Sequence, residues 1–150
     1  MLNYFQFEAD FVNSLRCIPM QVRYKLDTCG IKLKLSEWHQ MSLIERENLV
    51  KLPCNQKTEI DAYREYLQQL ILQRTGTSAT NLSVEPNPVW MDSHNIPTSL
   101  QEKVKESGFT LTLPQWANLT PLERFVLIKL SRPGHENHNF PKAMDEFDLI

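Results

Sequence analysis

The chain has 150 residues, of which 41% are hydrophobic and 23% charged, the balance of a globular protein rather than a disordered one. A net charge of −2 gives it no general attraction for nucleic acid or an anionic membrane, so nucleic-acid binding is disfavoured. The start lacks the pattern of a signal peptide, the longest apolar run (residues 125–128) is too short to cross a membrane, and three widely spaced cysteines favour a reducing compartment. We therefore expect a soluble cytoplasmic protein with a single domain over residues 1–150.

Residues 1–17 are predicted to form an extended arm that leads into a short helix. Phe5 and Phe7 alternate with polar residues, as in an extended chain, whereas Phe11, Val12 and Leu15 have helical spacing. Both parts would pack on the rest of the domain through these apolar side chains.

The next stretch, residues 18–53, occurs again at residues 96–131 without a gap. Twelve of the 36 aligned positions are identical, among them an Ile-Pro start, a glycine, a tryptophan and a Glu-Arg pair. Self-similarity of this kind indicates an internal duplication. We therefore predict a mainly α fold of two tandem pseudo-symmetric helical repeats, at residues 18–74 and 96–150, joined by a linker at residues 75–95.

Each repeat is predicted to open with a helix and a short extended segment. In the first copy the helix lies between Pro19, which can begin a helix, and Gly30, which can end one in a left-handed conformation. Residues 31–35 and 109–113 then alternate between apolar and polar side chains, the period of an extended chain with one buried face. The two extended segments are candidates for a small two-stranded ribbon formed by pairing with each other.

Two helix-start signals follow in each repeat. A short turn that begins at Ser36 or Pro114 carries a tryptophan, and it is followed by capping boxes at residues 42–45 and 120–123. The boxes predict helices that end before the next proline.

A further helix is predicted from Thr58 to Gly76, with a shorter counterpart at residues 141–149. The linker that follows Gly76 is polar and contains two prolines, which exclude a helix there. Trp90, beside these prolines, either holds the linker against the domain or serves as a docking residue.

Residues that recur in both copies are predicted to be scaffold. The Glu45-Arg46 pair stands at a capping box in both copies, so the glutamate is expected to cap the helix and the arginine to pair locally or cover apolar surface. Trp38 recurs as Trp116 and is expected to lie in the core.

Cysteine and histidine residues give a weak signal for a metal site. Cys17, Cys29 and Cys54 match no zinc or iron–sulfur spacing, and the second copy has no cysteine at the equivalent positions. His135 and His138 are three residues apart, but the Pro, Gly and Asn around them predict a loop. A small metal-binding or electron-transfer protein is therefore the alternative function, whereas the leading one requires no cofactor.

Charge is the clearest difference between the two copies. Residues 16–34 hold five cations against one acid, whereas the equivalent residues 94–112 hold two of each. The cations are candidates for an anion site or for docking an acidic partner, because arginine and lysine bind phosphates and carboxylates. They are Arg16, Arg23, Lys25, Lys32 and Lys34. The plain alternatives are a solvated surface or neutralisation by the acidic tail at residues 144–148.

The opening run Phe5-Gln-Phe-Glu-Ala-Asp-Phe is followed by Leu15-Arg-Cys-Ile-Pro-Met and Val22-Arg-Tyr-Lys-Leu-Asp-Thr-Cys-Gly-Ile-Lys-Leu. Together with Trp38, Glu45-Arg46 and the ending Arg132-Pro-Gly-His, these segments resemble the cyanobacterial nitrate reductase-associated protein family over essentially the whole chain. The resemblance implies an accessory role in nitrate assimilation, in association with the assimilatory nitrate reductase and with genes for its molybdenum cofactor. It implies no catalytic site.

We therefore expect a non-enzymatic accessory protein that binds nitrate reductase and assists its maturation, its molybdopterin cofactor loading or its activity. The expected partners are nitrate reductase and molybdenum-cofactor biosynthesis proteins, with no nucleic acid and no membrane insertion. No catalytic residue is predicted, since the sequence has no glycine-rich phosphate loop, nucleophile elbow or HExxH motif.

Overall fold

A computed structural model describes residues 4–9, 15–132 and 137–150. These residues contain eight α-helices and one two-stranded antiparallel sheet, and 63% of the structure is helical, which confirms the predicted mainly α class. Among the described residues no helix is both long and apolar enough to cross a membrane. The chain divides into two compact units, Met1–Val84 and Glu85–Ile150, so the boundary falls inside the predicted linker. The single domain stays a prediction.

The first unit contains four helices and both strands. In chain order these are α1 (Met20–Cys29), β1 (Ile31–Lys32), α2 (Leu35–Gln40), α3 (Leu43–Lys51), α4 (Lys57–Thr75) and β2 (Thr80–Asn81). A single turn of 3-10 helix at Gln6–Glu8 stands where an extended arm was expected. The helix predicted around Phe11 and Val12 lies outside the described residues.

Helix α1 has the predicted ends. Pro19 is its N-cap, and Gly30 ends it with φ +81°, donating its backbone N–H to the Leu26 carbonyl at 2.9 Å. A glycine is favoured at such a C-cap because the left-handed conformation is costly for residues with a Cβ atom. Helix α4 ends in the same way at Gly76.

The small sheet does not join the two repeats, and that prediction was wrong. Ile31 pairs with Asn81 and Lys32 with Thr80, so the partner of β1 comes from the linker rather than from residues 109–113. Arg64 on α4 fixes this arrangement, because its guanidinium donates to the carbonyls of Cys29 and Gly30 at 2.6 and 2.9 Å and to the Asn81 side chain at 2.7 Å.

The extended segments are also one residue shorter than predicted, because Leu35 and Leu113 already begin helices. A polar side chain three residues after each cap causes this. Glu37 accepts the Lys34 backbone N–H at 2.8 Å, and Gln115 accepts the Thr112 backbone N–H at 2.8 Å. These caps precede the predicted start points Ser36 and Pro114.

Both predicted capping boxes are confirmed. In the first unit Ser42 Oγ accepts the Glu45 N–H at 3.2 Å, and Glu45 Oε1 accepts the Ser42 N–H at 2.8 Å. In the second unit Thr120 and Glu123 make the same two bonds at 3.1 and 2.9 Å.

The core of the first unit lies between α1, α3 and α4, with the indole of Trp38 buried beside them. Each helix contributes aliphatic residues at helical spacing, as the pattern predicts. Its fully buried aliphatic side chains include Leu15, Val22, Ile31, Leu49, Leu67 and Ile71.

A tryptophan and an arginine hold α2 in place in the first unit, and we call this pair of side chains the Trp–Arg clamp. Arg46 Nε donates to the Trp38 carbonyl and Nη2 to the His39 carbonyl, both at 3.0 Å. Arg46 Nη1 and Trp38 Nε1 both donate to the Leu15 carbonyl, at 3.2 and 2.7 Å. The guanidinium lies 5.8 Å from the centre of the indole ring, within the range of a cation–π interaction.

The second unit has helices α5 (Thr98–Glu106), α6 (Leu113–Asn118), α7 (Pro121–Ser131) and α8 (Phe140–Glu146). Its Trp–Arg clamp repeats the first. Arg124 donates to the carbonyls of Trp116, Ala117 and Trp90 at 3.1, 3.0 and 3.2 Å, and Trp116 Nε1 donates to the Asp92 carbonyl at 2.8 Å. The Trp90 ring also packs edge-on against Phe125, with ring centres 5.2 Å apart. Trp90 is therefore held within its own unit.

The sequence repeat recurs in local structure. Helices α1 and α5 begin at residues 20 and 98, α2 and α6 at 35 and 113, and α3 and α7 at 43 and 121, always 78 residues apart. The helix N-caps and the arginine bonds to two carbonyls of the short helix recur at the same positions, whereas the remaining clamp bonds go to Leu15 in the first unit and to Trp90 and Asp92 in the second. A symmetry axis that relates the two repeats stays a prediction.

Gly30→Ala should destabilise the protein more than Gly108→Ala. Both glycines have φ near +80°, which costs a residue with a Cβ atom about 1–2 kcal/mol. Only at Gly30 would the new Cβ meet Val84 Cγ2 at 2.7 Å and the Leu82 carbonyl at 2.9 Å. Urea denaturation of both variants should show a loss of unfolding free energy at least twice as large for Gly30→Ala. Equal losses would contradict the close packing of Leu82 and Val84, which follow β2, against Gly30.

Arg124→Lys should destabilise the protein more than Arg46→Lys, because one ammonium group cannot reach three carbonyls. A buried carbonyl that loses its arginine and has no other donor costs about 1–3 kcal/mol, whereas the carbonyls of Trp38 and Trp116 each keep a backbone N–H. Arg124 is 5% exposed, whereas Arg46 is half-buried, so water can replace some of its bonds. Hydrogen exchange of the amides in α7 and α3 measures the two effects separately, and a larger effect in α3 would refute the ranking.

Candidate functional site

Three of the five candidate cations are exposed, and they lie on β1 and on the segments before α1 and α2. Along residues 31–34 the side chains alternate between buried and exposed, so Lys32 and Lys34 share the solvent-exposed face, as predicted. Arg16 is exposed as well. We call Arg16, Lys32 and Lys34 the basic surface.

Helix α2 connects two members of the basic surface. The ring Nε2 of His39, near the end of this helix, donates to the Arg16 carbonyl at 2.9 Å, and Lys34 is the N-cap residue. A six-residue helix is about 9 Å long. The backbones of Arg16 and Lys34 therefore lie at opposite ends of one short helix, close enough for a single partner protein to reach both side chains.

The cations of the basic surface have no carboxylate within ion-pair distance among the residues that the structure describes. Other surface cations of the same unit are paired. Lys51 lies 4.0 Å from Glu47, Lys57 lies 3.3 Å from Asp61, and Arg74 lies 2.7 Å from Glu45. The basic surface thus keeps its charge available to an anionic partner.

Arg23 is half-buried on α1, and its Nε donates to the Ile18 carbonyl at 3.3 Å. This bond turns one edge of the guanidinium toward the segment before the helix. Arg23 can therefore contribute to the basic surface only in part, beside Arg16, Lys32 and Lys34.

Lys25 is placed in the interior, apart from the other four cations. It is 7% exposed, and its Nζ donates to the carbonyls of Val50 and Leu52, each at 2.6 Å. These carbonyls lie at the C-terminal end of α3, where a cation is stabilised by the helix dipole. Burial lowers the pKa of Lys25 from its ordinary value. Lys25 therefore supports the fold and is not available on the surface.

The cysteines show no arrangement for redox or metal chemistry in the described part of the chain. Cys29 and Cys54 are each 3% exposed, and burial raises their pKa values from 9.0 to about 11 and about 12. Both thiols therefore stay protonated at neutral pH, which makes them poor nucleophiles and poor metal ligands. Cys17 is half-buried.

The histidine part of the predicted metal site is only partly described. His138 is exposed in a 3-10 turn at Asn137–Asn139, and His135 lies outside the described residues. Within the described ranges no three His, Cys, Asp or Glu side chains come close enough together to hold a metal ion.

One comparison with known proteins gave a match, and it covers nearly the whole chain. The family model described as conserved nitrate reductase-associated protein matches residues 4–147. The chain belongs to this family. Neither the curated proteins nor the solved structures gave a match.

Membership of the nitrate reductase-associated family confirms the resemblance found in the sequence. The cyanobacterial origin stays a prediction. The family's description associates its members with nitrate reductase. The match includes the cations of the basic surface and both Trp–Arg clamps, so all of these are features of a nitrate reductase-associated chain.

Cys54→Ser should make the protein less sensitive to alkaline pH. The folded-state pKa of about 12 lies above the ordinary 9.0, so between these values the unfolded state releases a proton that the folded state keeps. Stability therefore falls as pH rises, by about 1.4 kcal/mol per pH unit for each such thiol. Urea denaturation from pH 8 to 10.5 should show a shallower decline in the variant. Cys54→Ala is the matched control and should give the same slope, and a slope equal to that of the wild type would exclude a buried thiol.

Proposed function

We propose that this protein is a non-enzymatic accessory protein that binds nitrate reductase. Membership of the nitrate reductase-associated family is the observation that carries the proposal. Binding of this kind would assist the maturation of the reductase, its loading with molybdopterin cofactor or its activity. Molybdenum-cofactor biosynthesis proteins are further partners under the same proposal.

The basic surface is the proposed contact with the reductase. Three exposed cations without acidic partners among the described residues attract an acidic protein surface or a phosphate group, and they cost the fold little because exposed charges contribute little to stability. Arg23 joins them at the edge of α1. Lys25 is omitted from the proposed contact because two main-chain carbonyls hold it in the interior.

Differences between the repeats support the choice of this surface. At the positions of Lys32 and Lys34 the second repeat has Thr110 and Thr112, and Thr112 caps a helix with its hydroxyl group. The shared fold therefore does not require lysines at these positions. Charge that the scaffold does not need is available for binding a partner.

Reversing the charge of the basic surface should weaken capture of nitrate reductase. The double variant Lys32→Glu/Lys34→Glu is expected to retain about a tenth or less of the wild-type affinity at low salt, because it replaces attraction with repulsion, and the difference should shrink as salt is added. The measurement is a pull-down of nitrate reductase from nitrate-grown cells, followed by titration with the purified reductase.

A matched control separates the basic surface from net charge. Lys105→Glu/Lys142→Glu makes the same change in net charge at two exposed lysines of the second unit and should bind the reductase like the wild type. Equal capture by both double variants would remove the basic surface from consideration. Loss of capture in the control alone would place the contact on the second unit.

A further inference from the structure

The first unit has an open groove of about 610 Å³ between the end of α3 and the beginning of α4. One wall is formed by Asn48, Leu52 and Pro53, and the other by residues 58–66 of α4. Its surface is mostly apolar, with a small number of polar groups at the rim, which is the composition of sites that bind a ligand or a peptide. None of its lining residues belongs to the basic surface.

Aromatic rings form the floor and one end of the groove. Tyr63 is buried and donates its hydroxyl to the Leu49 carbonyl at 2.7 Å, so its ring is fixed in position. Tyr66, one turn further along α4, is half-buried. Tyr66, together with the exposed Pro53 and Ala62, gives an apolar surface on which a proline ring or an aliphatic side chain can pack, with the Tyr63 ring fixed beneath it.

Hydrogen-bond donors at the rim favour an extended chain over a helix. Asn48 Nδ2 donates to the Tyr66 hydroxyl at 3.3 Å, which leaves the O–H of Tyr66 and the second N–H of Asn48 as donors. A bound helix would use its own carbonyls internally, whereas a polyproline II chain leaves every carbonyl ready to accept. The wall from Thr58 to Tyr66 is about 12 Å long at 1.5 Å per residue, the length of about four polyproline II residues.

The carboxylate of Glu59 at the rim favours a ligand with a basic side chain. Glu59 Oε1 accepts the backbone N–H groups of Asn55 and Gln56, but no cation lies within ion-pair distance of Glu59 among the described residues. The nearby cations have partners, since Lys57 pairs with Asp61 and Lys25 donates to two carbonyls below the floor. The carboxylate of Glu59 is therefore available to a lysine or arginine.

We propose that this groove binds a short extended peptide segment of a partner protein, in which proline or aliphatic residues are followed by a lysine or arginine. The apolar residues pack on Tyr66, Pro53 and Ala62, the peptide carbonyls accept hydrogen bonds from Tyr66 and Asn48, and the basic side chain pairs with Glu59. The site does not depend on the proposed contact with nitrate reductase.

The test uses the full chain and three blocked hexapeptides, Ala-Pro-Pro-Leu-Pro-Arg and its versions with Ala or Glu in the last place. Titration followed by NMR chemical shifts should show the Arg peptide binding about ten-fold more tightly than the Glu peptide. Ala62→Arg, at an exposed residue in the groove, should abolish binding. Gln69→Arg adds the same charge at an exposed residue of α4 outside the groove and should leave binding unchanged.

Glu59→Gln tests the ion pair alone, because glutamine can still accept the capping bonds at the start of α4. It should reduce the affinity of the Arg peptide to that of the Ala peptide and leave the Ala peptide unaffected. The proposal is overturned if no hexapeptide binds, if the Glu peptide binds as tightly as the Arg peptide, or if Ala62→Arg binds like the wild type. A chain that binds the Arg peptide but not the reductase would contradict only the proposed function.

Discussion

The Trp–Arg clamp is the interaction on which each unit depends. Helices α2 and α6 have six residues each, too few to be stable in isolation. The arginine of the following helix donates to two carbonyls near the end of each short helix, one of which also accepts a backbone N–H at 3.2 Å, while its charge lies over the tryptophan ring. One side chain thereby ends a short helix, joins it to the next and fixes the position of the buried indole.

The clamp also determines where the basic surface lies. The indole and the guanidinium both donate to the Leu15 carbonyl, and Leu15 is buried with φ +56°, a conformation that costs a leucine about 1–2 kcal/mol. Two strong donors on one carbonyl, together with burial of the side chain, offset that cost. The next residue, Arg16, therefore lies at the C-terminal end of α2, whereas Lys34 lies at its N-terminal end. The hydrogen bonds to the Leu15 carbonyl, which stabilise the fold, therefore also position Arg16 of the basic surface.

The sequence predicted the helices well because their signals are local. Pro19, Gly30 and the capping boxes are decided by backbone groups within a few residues, and the structure confirms each of them. The pairing of β1 could not be predicted in the same way, because two residues of strand carry almost no register information. The pairing of β1 with β2 depends on Arg64 of α4. Its guanidinium donates to the Gly30 carbonyl and to the Asn81 side chain, which are 34 and 17 residues away in the sequence.

Lys25 differs from the other four candidate cations in that it recurs in the second repeat. A lysine stands at the equivalent position of the second repeat, Lys103, so the rule that recurring residues are scaffold already excluded Lys25 from a surface specific to the first repeat. The excess of positive charge in residues 16–34 includes Lys25, although the second repeat has a lysine at the same position. Subtracting the lysine common to both repeats leaves Arg16, Arg23, Lys32 and Lys34, and the structure places each of these at least partly in solvent.

The two proposed binding sites fall in the first unit for one structural reason. Helix α4, the fourth helix of the first unit, has 19 residues, whereas α8, the fourth described helix of the second unit, has seven. The residues of α4 beyond the first seven begin with Arg64, which holds the start of β1 with Lys32 facing outward, and include Tyr66 of the groove. The longer helix thus lets the first unit make contacts that a helix of seven residues is too short to make.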